Sequence, residues 1–153
     1  VILDPQQPTQ VIGVLDWEMA TIGDPLMDLG SALAYWIQED DDALMKSSRR
    51  QPTNLLGMLT RQQVVDYYLE KTGLQPANWA FYEVFGLFRL AVIAQQIYYR
   101  YYHQQTDNPA FKDFWIMIHA LHIRALKLIA QNNAEAQQLI PEYGAKLQDI
   151  LKR

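Results

Sequence analysis

One segment of the chain, residues 77–102, would present apolar side chains on nearly every face of an α-helix. Its apolar positions are Trp79, Phe81, Val84, Phe85, Phe88, Leu90, Ile93 and Ile97. A helix that is apolar all round must be covered on several sides by other elements. We therefore expect this helix at the centre of the fold, with the remaining elements packed around it.

The composition is that of one packed domain. The chain has 153 residues, of which 50% are hydrophobic and 20% charged, so about two-thirds of its unfolded surface can be buried in one core. Its formal charge of −4 argues against the nucleic-acid backbone as the main partner. The absence of cysteine excludes disulfides, zinc thiolate sites and cysteine nucleophiles, and it suits a reducing compartment. We expect a cytoplasmic protein that binds no nucleic acid.

The remaining elements are predicted from their start and stop signals. Asp24 is a good N-cap before Pro25, which predicts a helix ending near Gln38. Thr60 and Gln63 form a capping box that begins a second helix, and this helix runs to residue 71 with residue 73, a glycine, as its stop. The polar stretch 39–60 between them is predicted to be a loop with at most a short helical turn.

Two further helices and a hairpin complete the predicted fold. A helix begins at Asp107-Asn108-Pro109, and Pro141 separates a last, weaker helix that ends at residue 153. At the N-terminus, the apolar runs 1–3 and 11–15 flank a proline-containing polar segment, which is typical of a β-hairpin. No uninterrupted run of eighteen apolar residues indicates a membrane span. We predict a mainly α protein with a short β-hairpin and about five helices.

Asp16 is a candidate metal ligand because it follows the second apolar run directly. A carboxylate at the end of a strand can turn its oxygens into a cleft while the strand holds it rigidly. Mg²⁺ binds one or two such carboxylates together with phosphate oxygens, which is the usual arrangement in phosphoryl transfer. The structural alternative is that Asp16 only ends the strand and caps a turn.

Asp24 and Asp28 lie four residues apart in the first predicted helix. On structural grounds alone, Asp24 caps the helix and Asp28 complements its dipole. Asp28 is also close to Gly30, where the helix could approach another backbone closely. A buried aspartate there would need hydrogen-bond donors, and the amides of a neighbouring loop could provide them.

Three other groups of polar residues have both a functional and a structural interpretation. The acidic run 39–42 could attract a cationic substrate, although such runs are usually solvated loops. His119 and His122 could ligate a metal together, but without a third ligand they are better explained as structural residues. Arg89, in the apolar helix, would be buried and would need a carboxylate, which favours a structural ion pair over a contact with substrate.

The segment 14–30 resembles the aminoglycoside phosphotransferase family, small-molecule kinases built on a protein-kinase-like fold. The matching residues are Val14-Leu15-Asp16-Trp17-Glu18, Gly23-Asp24-Pro25 and Asp28-Leu29-Gly30. Further segments, 59–61, 67–68, 72–73, 82–85, 88–90 and 98–101, resemble the branch whose members are often linked to acyl-CoA dehydrogenases. The resemblance extends over most of the chain.

This resemblance implies roles for particular residues. Asp16 would hold Mg²⁺ and, through it, ATP, while Glu18 would assist at the metal or cap the turn. Asp28, supported by Asp24, would hold the catalytic loop through that loop's backbone amides. The helices of the lobe line the substrate cleft in this family, which makes Tyr35, Trp36, Glu39, Arg89 and Tyr98 the pocket candidates.

The same resemblance indicates what residues 1–153 lack. Family members have a His-Gly-Asp loop ending in Asn, and this loop supplies the catalytic base and a second metal ligand; neither is in this sequence. A lysine-bearing nucleotide-binding lobe is absent as well. We therefore expect the chain to be the helical C-terminal lobe, with its base upstream of Val1 and no activity on its own.

Two hypotheses about function follow from these observations. The first is part of an ATP- and Mg²⁺-dependent phosphotransferase that moves a phosphoryl group to a hydroxyl of a small molecule, either an aminoglycoside or a hydroxylated acyl or CoA-type metabolite. The second is a non-catalytic helical interaction module that forms a homodimer, or binds a partner, through an exposed lobe interface.

Overall fold

The computed structural model describes residues 1–17, 20, 22–131 and 133–151, apart from the side chains of residues 147, 150 and 151. The prediction of a mainly α fold with an N-terminal hairpin is confirmed. The elements are β1 (Ile2–Leu3), β2 (Val11–Gly13), α1 (Pro25–Leu33), α2 (Ala43–Ser47), α3 (Arg61–Thr72), α4 (Trp79–Tyr102), α5 (Phe114–Ala130) and α6 (Ala134–Leu151).

Helix α4 is the centre of the fold, as its apolar composition predicted. It packs along α1 on one side and along α5 on another, and α6 packs on α5. Leu87 of α4 and Leu121 of α5 are each 1% exposed, and they belong to the same core cluster. This core of interlocking aliphatic side chains supplies most of the apolar burial that stabilises the fold.

Helices α1 and α4 touch through their backbones where two glycines meet. A Cβ atom built on Gly86 would lie 2.1 Å from the carbonyl oxygen of Gly30, and one built on Gly30 would lie 2.3 Å from the carbonyl oxygen of Tyr82. No side chain fits at either position without moving a helix. The predicted close approach at Gly30 is confirmed.

One face of α4 is not covered, in contrast to the prediction that the helix is covered on several sides. Phe81, Phe88, Val92 and Tyr99 recur at helical spacing, and these four side chains are between 39% and 63% exposed. By length and composition alone, α4 could also cross a membrane. In this fold it packs against α1 and α5.

Several predicted helix ends are confirmed by their hydrogen bonds. Asp24 accepts a hydrogen bond from the amide of Leu26 at 2.9 Å. Thr60 and Gln63 form both halves of the capping box, and Gly73 ends α3 in the left-handed conformation with φ = 69°. These signals act within one helical turn, so they did not depend on the rest of the fold.

Other predicted boundaries were wrong. Helix α1 ends at Leu33 rather than near Gln38. The short helical turn that the prediction allowed within the loop 39–60 is present as α2, which is five residues long. Helix α6 begins at Ala134 and includes Pro141, because Asn133 accepts hydrogen bonds from the amides of residues 135 and 136 and so caps the helix earlier. Proline removes one backbone donor, and the turns on either side of it continue the helix.

The hairpin is short and exposed. β1 and β2 are antiparallel, with Ile2 opposite Gly13 and Leu3 opposite Val11. Ile2, Leu3 and Val11 are all at least 44% exposed. A two-stranded hairpin is marginally stable by itself. Asp16, which follows it, is also exposed.

Candidate functional site

Asp16 lies three residues after β2. Its φ of 73° is in the left-handed region, and its side chain is exposed. The next residue, Trp17, donates a hydrogen bond from its indole Nε1 to the carbonyl of Val14 at 2.8 Å and so bridges the segment that contains Asp16. A non-glycine residue in this region is uncommon, and such residues cluster at functional sites. Glu18, the other candidate in this segment, lies outside the described residues.

The backbone conformation at Asp16 predicts an order of stabilities. We expect Asp16→Gly to be at least as stable as the wild type and Asp16→Ala to be about 1 kcal/mol less stable than Asp16→Gly, because a Cβ atom is disfavoured at this φ. Urea unfolding monitored by circular dichroism measures the difference.

Asp4, on the same hairpin, provides the control for this prediction. Its φ is not positive, and its carboxylate accepts hydrogen bonds from the amides of Gln6 and Gln7. Asp4→Gly is therefore expected to be destabilising. Equal stabilities for Asp16→Gly and Asp16→Ala would contradict a strained backbone at Asp16.

The donor set around Asp16 fits Mg²⁺ only if phosphate and water oxygens complete the coordination. Among the described residues, no group of three or more histidine, cysteine, aspartate or glutamate side chains could hold a metal ion. Mg²⁺ commonly binds through one or two carboxylates and keeps its other ligands from phosphates and water. Asp16 can supply one such carboxylate.

Asp24 joins the beginnings of two helices. Besides capping α1, its carboxylate accepts a hydrogen bond from the hydroxyl of Tyr82 at 2.8 Å. This hydrogen bond raises the pKa of the Tyr82 phenol, because it stabilises the protonated form. Asp24 thereby fixes the N-terminus of α1 against α4, and this contact orients the turn in which Asp28 lies.

Asp28 is exposed, whereas the sequence suggested a buried aspartate. It lies at a cleft of about 230 Å³ between α1 and α4, together with Ser31, Tyr35 and Arg89. Because Asp28 points away from the packed face of α1, its oxygens are available to donors outside the described fold. The expected role in holding a loop stays a prediction.

Arg89 does not form the structural ion pair that its place in an apolar helix suggested. Its side chain is exposed, and Nη1 donates a hydrogen bond to Ser31 Oγ at 3.3 Å. Among the described side chains, no carboxylate lies within ion-pair distance of it. The α4 face that holds Arg89 borders the cleft rather than the core, so the guanidinium remains solvated. The structure therefore brings Arg89 and Tyr35 to the same cleft as Asp28.

The other pocket candidates lie elsewhere. Trp36 donates from its Nε1 to the carbonyl of Leu59 at 2.9 Å, so it ties the end of the 39–60 segment to the end of α1. Glu39 borders a separate cleft formed with residues 53–60. Tyr98 is half-buried against Tyr102, with ring centroids 6.2 Å apart. These three residues do not converge on Asp28, and their assignment to a substrate pocket stays a prediction.

The acidic run 39–42 makes structural contacts. Asp41 forms two hydrogen bonds with the guanidinium of Arg61, at 2.6 and 2.7 Å, and Asp42 caps α2 by accepting from the amide of Met45. Burial raises the pKa of Asp41, but hydrogen bonds from Arg61 and from the amide of Gln38 outweigh burial and lower the pKa below 3.8. The structural interpretation of this run is supported.

Arg124 and Glu83 form an ion pair that the sequence analysis missed. Arg124 Nη2 lies 3.7 Å from Glu83 Oε1, and the two side chains are 14% and 21% exposed. Burial lowers the pKa of Arg124. The sequence did contain a signal for this pair, because Glu83 and Arg124 each lie in an otherwise apolar helix. Charged side chains are seldom buried without a partner, so the two residues could have been predicted to pair.

His119 and His122 contact Tyr143 of α6. The Nδ1 atom of His119 hydrogen-bonds to the Tyr143 hydroxyl, and the ring centroid of His122 lies 4.2 Å from that of Tyr143. Burial and the charge of His122 lower the pKa of His119, and burial raises the pKa of Tyr143. These contacts attach α6 to α5, in agreement with the structural interpretation of the two histidines.

Comparison with known families supports the resemblance found in the sequence. Residues 1–59 match the model described as the phosphotransferase enzyme family. This segment contains Asp16, Asp24 and Asp28 and extends through α1 and α2. The suspected resemblance to phosphotransferases is therefore confirmed over the part of the chain where the candidate residues lie.

Similar curated proteins come from animals and plants. The chain is 36% identical to mouse acyl-CoA dehydrogenase family member 10 over 102 residues, which is 65% of this chain and 9% of that protein. It is 31% identical to human acyl-CoA dehydrogenase family member 11 over 104 residues, 66% of this chain and 13% of that protein. It is 29% identical to the Arabidopsis thaliana probable acyl-CoA dehydrogenase IBR3 over 144 residues, 91% of this chain and 17% of that protein.

The matched regions are small parts of these relatives. The chain spans between 9% and 17% of the length of the curated proteins it matches. No solved structure matches the chain. The names of the relatives agree with the branch that the segments after residue 59 suggested.

Proposed function

We propose that this chain, which resembles the phosphotransferase enzyme family over residues 1–59, is the helical lobe of a kinase-like enzyme that transfers a phosphoryl group from ATP to a hydroxyl of a small molecule. The observation that carries this proposal is Asp16. It is an exposed carboxylate with a left-handed backbone conformation three residues after β2, within the segment that matches the family.

The residues of this chain have distinct tasks in the proposed reaction. Asp16 would bind Mg²⁺, which supplies positive charge to the phosphate oxygens when it is bound. The hydrogen bond from Trp17 Nε1 to the carbonyl of Val14 spans the backbone of Asp16. Asp28, exposed at the cleft between α1 and α4, would accept hydrogen bonds from the backbone amides of a catalytic loop.

Residues 1–153 by themselves are proposed to be inactive. Phosphoryl transfer depends almost entirely on positioning and on charge stabilisation, so a single carboxylate without a base and a second metal ligand provides too little of either. The names of the relatives make a hydroxylated acyl or CoA-type substrate at least as good a proposal as an aminoglycoside. With either substrate class, the partner of the enzyme is a small molecule that carries a hydroxyl group.

The metal-binding role of Asp16 is tested with Mn²⁺, which prefers the same oxygen ligands as Mg²⁺ and broadens nearby NMR signals. In the presence of ATP, we expect Mn²⁺ to broaden the amide signals of residues 14–17 in the wild-type chain. In Asp16→Asn, the Mn²⁺ concentration needed for equal broadening should rise at least about tenfold, because a charged ligand is lost.

Asp4→Asn is the matched control, since it removes a carboxylate from the same exposed hairpin. This variant should keep the broadening of residues 14–17. If Asp16→Asn and the wild type respond to Mn²⁺ identically, Asp16 is not a metal ligand and the proposal loses the observation that carries it.

A second candidate function is a helical interaction module without catalysis. It is favoured by the exposed stripe on α4, where Phe81, Phe88, Val92 and Tyr99 line one face. Apolar patches of this kind mark interaction sites in many proteins. Under this proposal the chain self-associates as a homodimer, and sedimentation velocity would show a concentration-dependent dimer that Phe88→Asp abolishes. A wild-type chain that stays monomeric at about 0.1 mM would contradict a dimer with micromolar affinity.

A further inference from the structure

An apolar cavity of about 190 Å³ lies between the end of α1, α2, α4 and α5. Its walls are formed mainly by aliphatic and thioether side chains, including those of Ile37, Met45, Leu90, Ala94, Ile97 and Met117. Ile37, Met45 and Ala94 are at most 5% exposed. The inner wall of the cavity is therefore part of the buried core, while Tyr35 and Ile93, which are 41% and 37% exposed, border its open side.

The volume of the cavity sets the size of what can fill it. An apolar cavity of about 150 Å³ stays free of water and binds benzene, a molecule of six carbons. The cavity here is somewhat larger, at about 190 Å³. It can therefore hold about six carbon atoms of an apolar chain, whose burial against the aliphatic walls would favour binding.

The mouth of the cavity has one cationic group. Arg50 borders the cavity and is exposed, and among the described side chains no carboxylate lies within ion-pair distance of it. Two further polar residues, Tyr35 and Ser48, line the cavity, and Ser48 donates its hydroxyl to the carbonyl of Met45 at 2.7 Å. The neighbouring Arg49 donates to Asn54 Oδ1 at 3.1 Å and does not border the cavity. Among the described residues that line the cavity, Arg50 is the one with a cationic side chain that could meet an anion.

We propose that this cavity is a binding site for an unbranched alkyl chain of about six carbons with an anionic head group. The chain lies among the side chains of α4 and α5, and the head group meets Arg50 at the surface. The cavity shares Tyr35, Leu90 and Ile93 with the cleft at Asp28, but Asp16 does not line it, and the metal-binding role of Asp16 is tested separately.

A series of alkyl carboxylates tests the proposal on the wild-type chain. In NMR titrations, the affinity should rise about fourfold for each added methylene between butanoate and hexanoate, because each buried methylene contributes about 0.8 kcal/mol. The increase should fall off beyond about six carbons, when the chain has filled the cavity. Acetate at the same concentrations should not shift the signals of Ala94 and Met117.

Hexanol separates the contribution of the head group from that of the chain. It should bind two- to fivefold more weakly than hexanoate, since an exposed ion pair contributes at most about fivefold. Arg50→Gln should reduce the affinity for hexanoate to that for hexanol. Arg49→Gln is the matched control and should change neither affinity.

Two substitutions that fill the cavity complete the test. Ala94→Ile places three more carbons in the cavity, and Ile97→Phe adds a ring at a half-buried position. Each should weaken hexanoate binding at least tenfold, and circular dichroism checks that the variants are folded. If Ala94→Ile does not fold, Ile97→Phe gives the same answer. Affinities that do not depend on chain length, or that neither filling variant changes, would overturn the proposal.

Discussion

Replacing Gly86 by alanine is expected to lower the free energy of unfolding by about 3 kcal/mol or more. The new Cβ atom would lie 2.1 Å from the carbonyl oxygen of Gly30 and 3.0 Å from the amide nitrogen of Ser31. Both neighbours are backbone atoms of α1, so the clash is relieved only if α1 and α4 move apart. Forced separation of packed elements typically costs 1–3 kcal/mol and occasionally more.

The intrinsic helix propensities of glycine and alanine predict the opposite result, a more stable variant. Glycine inside a helix is about 1 kcal/mol less favourable than alanine, so Gly86→Ala would be stabilising if only local propensity mattered. The sign of the change in the urea midpoint therefore shows which effect is larger. A variant as stable as the wild type would contradict the backbone contact between α1 and α4.

Gly144→Ala is the matched control, because Gly144 is also helical and a Cβ atom there meets nothing within 4 Å. It should stabilise the protein by up to about 1 kcal/mol. Gly30→Ala should be destabilising for the same reason as Gly86→Ala. The effects of these two substitutions should not add in the double variant, since both separate the same pair of helices.

Breaking the ion pair between Arg61 and Asp41 is expected to cost about 3 kcal/mol. The two side chains are only 17% and 10% exposed, and they share two short hydrogen bonds. Arg61 Nη1 also donates to the carbonyl of Trp36 at 2.9 Å. Arg61→Ala would leave both a carboxylate and a carbonyl without this donor, and an uncompensated buried charge costs about 3–5 kcal/mol.

The same pair predicts a dependence of stability on acid pH. The pKa of Asp41 in the folded state is lower than its ordinary value of 3.8. Its contribution is therefore fully present above pH 3.8 and is lost as the pH falls through the folded-state pKa. Urea unfolding between pH 5 and pH 2 should show a loss of stability that is smaller in Asp41→Asn, which has no carboxylate to protonate.

The exposed pair of Glu142 and Lys146 provides the comparison. These side chains are 60% and 70% exposed, and they lie one turn apart on α6. Lys146→Ala should change the free energy of unfolding by no more than about 0.5 kcal/mol, as is usual for exposed pairs in helices. If Arg61→Ala costs no more than Lys146→Ala, the pair of Arg61 and Asp41 does not stabilise the fold.

Local signals in the sequence were sufficient for much of the fold. The capping box at Thr60 and the stop at Gly73 were predicted correctly, because their hydrogen bonds join residues within one turn. The position of α2 within the loop 39–60 was not predicted, and the early start of α6 was missed. Both depend on side-chain caps, at Asp42 and Asn133, in segments with too little apolar periodicity to reveal a helix.

The candidate site, like the fold, was predictable from the sequence only in part. The position of Asp16 after a strand was visible in the sequence, but its left-handed backbone was not, because aspartate adopts several conformations at a strand end. Arg89 and Asp28 are 61 positions apart, so only the crossing of α1 and α4 brings them to one cleft. The exposure of both residues contradicted expectations drawn from their apolar neighbours.

The sequence by itself determined that the protein is mainly helical, that α4 is central and that Asp16 and Asp28 are the residues to examine. These conclusions rest on periodicity, capping and a motif, all of which depend on residues near one another in the chain. Only the tertiary structure decided that Gly30 meets Gly86, that Arg61 holds Asp41 and that Arg50 stands at the mouth of an apolar cavity. Such contacts join distant segments, and they depend on how whole helices pack rather than on the preference of any single residue.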